Sequence, residues 1–112
     1  MEPEGHVVDR QVQAYNQRDI DAFVACYADE AVIEDARGHV LIRGSEEMRA
    51  KYAAFFEASP TLHAEVPTRI DLGEYVVDEE RISGTPNGEI HAVVVYHVTG
   101  DLIDHVRIIG GA

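Results

Sequence analysis

The spacing of apolar positions changes partway along this chain, and the change separates a helical part from an extended one. Val8, Val12 and Tyr15 recur at i, i+4, i+7, which predicts a first helix over residues 7–17. Asp19 carries the short acceptor side chain of an N-cap. Behind it, Ile20, Phe23, Val24, Tyr27 and Ala28 make the stripe of a second helix, closed by Asp29-Glu30. A short strand running to Asp35, a turn at Ala36-Arg37-Gly38-His39 and a strand over 40–43 follow. Ser45 is the expected cap of a third helix, with Glu46 and Glu47 in its first turn, where the helix dipole favours them. Met48, Tyr52, Phe55 and Phe56 form its buried stripe, Glu47–Lys51 an exposed i, i+4 pair, and Ser59-Pro60 its stop.

From residue 62 the period is two. Leu62, Ala64, Val66, Thr68, Ile70 and Leu72 share one face, opposite His63, Glu65, Arg69 and Asp71. Pro67 inside this run predicts a bulge or an edge strand. Further strands are read over 75–83, 89–98 and 102–109, joined by turns at Thr85-Pro86-Asn87-Gly88 and Thr99-Gly100-Asp101. Helices followed by an antiparallel meander make an α+β domain with the helices on one face of the sheet. The run Ala92-Val93-Val94-Val95 is apolar at every position, so both faces of that strand are expected to be covered, one by the helices and the other by a second subunit. A homodimer through the sheet is the expected assembly.

Composition narrows the function. At 112 residues the chain reads as one domain, 1–112, with its core over about 7–109. A formal net charge of −12 argues against nucleic-acid or anionic-membrane partners. The longest apolar run, 92–96, is far too short to cross a bilayer. The acidic start Met1-Glu2-Pro3-Glu4-Gly5 has no hydrophobic stretch behind it and reads as no signal peptide. The single cysteine, Cys26, excludes an internal disulfide and is read as a packed thiol, so the expected compartment is the cytoplasm.

The densest chemistry lies in Tyr27-Ala28-Asp29-Glu30-Ala31-Val32-Ile33-Glu34-Asp35, where strand alternation puts Ala31, Ile33 and Asp35 on one face. An Asp so placed either starts the turn Asp-Ala-Arg-Gly or sits in an apolar cavity. A cavity disfavours the charged carboxylate, raises its pKa and makes it a proton shuttle near neutrality.

The order of elements, with "YADEAVIED", "IRGSEEMRAKY" and "VYHVTGDLIDHVRI", resembles the nuclear transport factor 2-like superfamily over residues 7–109. Within it, the chain is most similar to the ketosteroid isomerase and SnoaL-like polyketide cyclase branch. The resemblance implies a cone: a curved antiparallel sheet wrapped around three N-terminal helices, enclosing a pocket. It implies that Asp35 is the general base, with Tyr27 and Tyr52 as supporting pocket tyrosines. The main oxyanion tyrosine corresponds to about Gln11, with Tyr15 one turn later, and its acidic partner falls at Val94 or Ala92. Neither Val94 nor Ala92 can donate a hydrogen bond, and loss of one such donor typically costs about 10² to 10³ in rate.

The histidines show no HxH or HExxH spacing; His91 and His97 lie about 20 Å apart along one strand, so no metal is expected. His91 faces away from the pocket if Ala92 and Val94 face into it. Glu79, Glu80 and Arg81 read as a solvated face or a dimer rim. No Gly-rich phosphate loop is present, and no cofactor is expected. The expected activity is isomerase- or cyclase-type proton transfer by Asp35 on a small apolar carbonyl- or hydroxyl-bearing ligand, with Tyr15, Phe23, Tyr27, Tyr52, Phe56 and Val94 lining the pocket. The alternative is a ligand-binding or assembly module of the same fold without catalysis.

Overall fold

A computed structural model describes residues 5–110, with side chains from residue 7; the acidic start Met1–Glu4 and the two C-terminal residues lie outside the described residues. The chain runs α1 (Gly5–Gln17), α2 (Ile20–Val24), β1 (Tyr27–Asp35), β2 (Val40–Arg43), α3 (Ser45–Glu57), β3 (His63–Asp71), β4 (Tyr75–Thr85), β5 (Gly88–Thr99) and β6 (Leu102–Gly110). Three helices pack on one face of a curved sheet ordered β2-β1-β6-β5-β4-β3. β3 to β6 form the expected antiparallel meander, while β1 runs parallel to β6. The core between helices and sheet is apolar, with Val8, Phe23, Ile33, Met48, Leu62 and Ile103 almost fully enclosed. Among the described residues, no helix is long and apolar enough to cross a membrane.

Three local expectations are corrected by tertiary contacts. Asp19 caps α2 as read, its carboxylate accepting from the Ala22 N–H at 3.1 Å. The helix nevertheless stops at Val24, and Tyr27 and Ala28 belong to β1. There the Cys26 carbonyl accepts from Ile103 N–H, so pairing with β6 captures residues whose spacing is helical. At α3 the cap position is Gly44, at φ 85°, and Ser45 is the first helical residue.

The third correction shapes the site. β3 is an edge strand and also carries a bulge, between Glu65 and Thr68, where Pro67 cannot donate to the ladder. A bulge adds one residue and reverses the alternation beyond it. Ala64 therefore points inward, but Ile70 (51% exposed) and Leu72 (66% exposed) point out, and Arg69 enters the interior in their place.

Gly84 (φ 77°) packs so closely on the Thr61 and Leu62 backbone that a Cβ would overlap the Thr61 carbonyl. Gly84→Ala is expected to cost about 2 kcal/mol, read by urea unfolding; a loss within error would show that the β3–β4 end relaxes freely.

Candidate functional site

The inner face of β4 carries Val76, Asp78, Glu80 and Ile82, and β5 presents Ala92, Val94 and Tyr96 beside them in the register Glu80↔Ala92, Asp78↔Val94 and Val76↔Tyr96. Helices α1 and α3 close over this surface and leave a cavity of about 320 Å³. Its wall is mostly aliphatic and aromatic, and among the described residues one acidic side chain, Glu80, reaches it.

Glu80 is only 7% exposed and ends a chain of buried hydrogen bonds. The Tyr27 hydroxyl donates to Gln11 Oε1 (3.0 Å), Gln11 Nε2 donates to the Tyr96 hydroxyl (3.0 Å), and Tyr96 donates to Glu80 Oε2 (2.7 Å). Burial raises the Glu80 carboxyl to about 7, opposed by the Tyr96 hydrogen bond and the Arg69 charge and reinforced by the negative charge of Asp78. Burial also pushes the hydroxyls of Tyr15, Tyr27 and Tyr96 upward and that of Tyr52 to about 12, so each stays protonated and able to donate near neutral pH.

Beneath this network lies a second polar group. Asp78 is fully enclosed and receives the two-pronged guanidinium of Arg69, Nε to Oδ1 at 2.7 Å and Nη2 to Oδ2 at 2.9 Å. Arg69 also binds the more exposed Asp9 of α1. The two carboxylates hold Arg69 even more firmly protonated than a free arginine.

The expected base, Asp35, is placed elsewhere. Its Oδ1 accepts from the N–H groups of Arg37 and His39, both at 2.9 Å, and its Oδ2 lies 3.3 Å from His39 Nδ1. These hydrogen bonds, that from His39 first, hold its carboxyl below the ordinary Asp range. The side chain is 36% exposed and does not line the cavity. This corrects the reading of Asp35 as a carboxylate with a raised pKa in an apolar cavity. The reason is local: β2 bulges at Leu41 opposite Ile33/Glu34, and the turn folds the carboxylate back on its own backbone.

Among the expected lining residues, Tyr15, Phe23, Tyr27, Tyr52 and Val94 do border the cavity. Phe56 does not; it packs edge-on behind Tyr15 and Phe23, and Phe55 takes the lining position. Ala92 and Val94 both face inward, so His91 faces out, where it meets Glu79 at 2.7 Å. Among the described residues, no three His, Cys, Asp or Glu side chains gather as a metal site.

Sequence reading passed over Tyr96, and treated Gln11 only as the place of a missing tyrosine. The reading of Glu80 as part of a solvated face or dimer rim is corrected, since its side chain turns inward and is buried at the cavity. A signal existed: with period two, Val76, Asp78, Glu80 and Ile82 share a face whose ends are apolar, so the acids between them enter the core with those ends.

The comparisons agree with this architecture. The sequence profile of the SnoaL-like domain matches residues 8–106. No curated protein matches the sequence. An uncharacterised cystatin-fold protein from Novosphingobium aromaticivorans superposes with a TM-score of 0.88 at 28% identity, over 96% of this chain and 98% of that one. A provisionally named polyketide cyclase from Sinorhizobium meliloti gives 0.78 at 21% identity, covering 92% and 93% of the two chains. A provisionally named ketosteroid isomerase from Kribbella flavida gives 0.80 at 15% identity, covering 96% and 76%. With that profile matched along nearly its whole length and its helix-backed curved sheet in place, the chain belongs to the SnoaL-like domain family, within the nuclear transport factor 2-like superfamily.

Proposed function

We propose that this protein binds a small, largely apolar carbonyl- or hydroxyl-bearing molecule in the cavity and moves a proton on it, with Glu80 as general acid/base. The observation that carries the reading is a nearly enclosed carboxyl in an apolar cavity, its protonated and ionised forms both populated near neutral pH. Tyr96 occupies one of the acceptor positions of Glu80, and a carboxylate offers about four. The ionised form would take a proton from the carbon next to a ligand carbonyl. The C–H electron pair then moves onto the carbonyl oxygen, which the protonated hydroxyls of Tyr15 or Tyr52 would stabilise. Return of the proton to another carbon completes an isomerisation without any cofactor. The Sinorhizobium and Kribbella likenesses support the fold alone; the chemistry rests on Glu80.

Deuterium uptake at the C1 position of 2-tetralone, followed by NMR in D₂O, tests this. Wild-type protein is expected to exceed buffer by about 10²-fold, with a rate that climbs as pH rises through about 7, since only ionised Glu80 accepts a proton. Glu80→Gln should fall to the buffer rate while Asp35→Asn keeps the activity. The reverse pattern would return the base to Asp35. Tetralone bound without exchange would favour the non-catalytic binding module.

We also infer a homodimer through the outer sheet face, where Tyr75, Val93 and Ile109 are exposed on adjoining strands. Sedimentation at the dimer mass is the expected result, and a monomer at high micromolar concentration would remove this part of the reading.

A further inference from the structure

Among the described residues, two charged side chains border the cavity, Glu80 and Lys51, and they occupy opposite environments. Glu80 is enclosed by β4, β5 and α1, whereas Lys51, on α3, is 57% exposed and marks the side open to solvent. A lysine placed this way lays its alkyl stem along apolar wall and keeps its ammonium at the rim.

The ammonium is held in place. Nζ donates to the Leu41 carbonyl of β2 at 2.9 Å and lies 3.4 Å from Glu47 Oε1, one turn earlier on α3. Glu47 is shared, since the same oxygen accepts from the Arg43 N–H at 3.2 Å. An ammonium has three donors, so these two contacts leave one for a guest. The surrounding charge sharpens the point. At a net charge of −12 the molecule as a whole repels anions, and Lys51, although paired with Glu47, is the one cation among the described residues bordering the cavity.

Resting on the cavity reading given above, we propose that the ligand is bipolar: an apolar skeleton with a hydroxyl or carbonyl at the Glu80 end and a carboxylate at the other, held by Lys51. Lys51 is then the residue that selects acids from neutral molecules of the same shape. It takes no part in proton transfer, because it stands at the rim while Glu80 lies within.

Three naphthalene probes separate the two ends by fluorescence titration: 2-naphthol has only the hydroxyl, 2-naphthoate only the acid, and 6-hydroxy-2-naphthoate has both at opposite ends. Wild-type protein should bind 6-hydroxy-2-naphthoate about fivefold more tightly than 2-naphthol. Lys51→Met should abolish that advantage, and Lys51→Glu should reverse it. Glu80→Gln should weaken the two hydroxyl probes and leave 2-naphthoate unchanged. A merely structural Lys51, tying β2 to α3, would lower the melting temperature of Lys51→Met while the preference for the acid survived; that result overturns the inference. So does a wild-type protein that binds 2-naphthol and 6-hydroxy-2-naphthoate equally, which leaves the cavity reading standing. If none of the probes binds, the small-molecule reading falls, and the assignment of Lys51 falls with it.

Discussion

Replacing Arg69 by leucine is expected to remove about 3 to 5 kcal/mol of stability. Asp78 is fully enclosed, and the guanidinium fork at 2.7 and 2.9 Å neutralises it there. Without Arg69 the carboxylate must stay buried and unpaired or take up a proton, and either is unfavourable in a low-dielectric interior. Asp9 loses the same partner at little cost, because it is largely solvated. A domain of this size has only about 5 to 15 kcal/mol in total, so the variant should melt about 15 °C or more below the parent. The double variant Arg69→Leu/Asp78→Leu is the control. It replaces both charges with apolar groups, which is often neutral or favourable, and should recover most of the loss. Thermal unfolding of both variants decides the matter. If the single variant loses less than about 1 kcal/mol, or the double variant is no better than the single, the buried pair does not carry the role assigned to it.

The second large effect is a gain. Raising the Glu80 carboxyl from 4.5 to about 7 means that ionising it inside the fold costs about 3 kcal/mol. The sign follows from where the proton sits. Below pH 4.5 the carboxyl is protonated both folded and unfolded, and no penalty exists. Between 4.5 and about 7 the unfolded chain releases the proton that the folded chain retains, so this group's contribution to stability falls as pH rises. Above about 7 the full penalty is present. Glu80→Gln keeps an acceptor oxygen for Tyr96 and removes the ionisation. It should match the parent at pH 4 and exceed it by about 3 kcal/mol at pH 8. Asp35, Glu34, Glu79 and Asp104 have depressed pKa values, so their contributions run the other way and are lost as pH falls. Subtracting the variant's urea-unfolding curve from the parent's at each pH cancels those four and isolates Glu80. A difference that is flat from pH 4 to pH 8 would show that the carboxyl is not desolvated, and the acid/base role would lose its basis.

These two experiments also bear on function. Stability lost on ionising Glu80 is the cost of keeping a titratable group in a cavity that apolar residues would otherwise fill, a burden that binding and active sites commonly carry. Arg69 and Asp78 lie beside it and act on it in opposite directions, Asp78 raising its carboxyl and Arg69 lowering it. The double leucine variant therefore also tests whether the Glu80 midpoint is tuned by this pair or by burial alone.

Much of this architecture is written locally. The Asp19 cap, the α3 stripe with its acidic first turn, the Thr85-Pro86-Asn87-Gly88 turn and the meander of period-two strands follow from short-range chemistry, and each stands in the structure. The resemblance carried in "YADEAVIED" and "IRGSEEMRAKY" reached the correct superfamily for the same reason, since the order of such elements sets the fold. Tertiary structure decided what those elements do. Pairing with β6 drew Tyr27 out of a helical pattern and into the cavity wall. The Pro67 bulge exchanged Ile70 for Arg69 and so supplied the partner that allows Asp78 to be buried. Folding of Asp35 onto its own turn kept it out of the cavity, and the register of β4 against β5 placed Glu80 under Tyr96. An acid's neighbours along the chain define its face of a strand, but its pKa is set by burial and by partners that come from other strands and helices. That is why the sequence identified the fold, and only packing decided which carboxylate lies buried against the cavity.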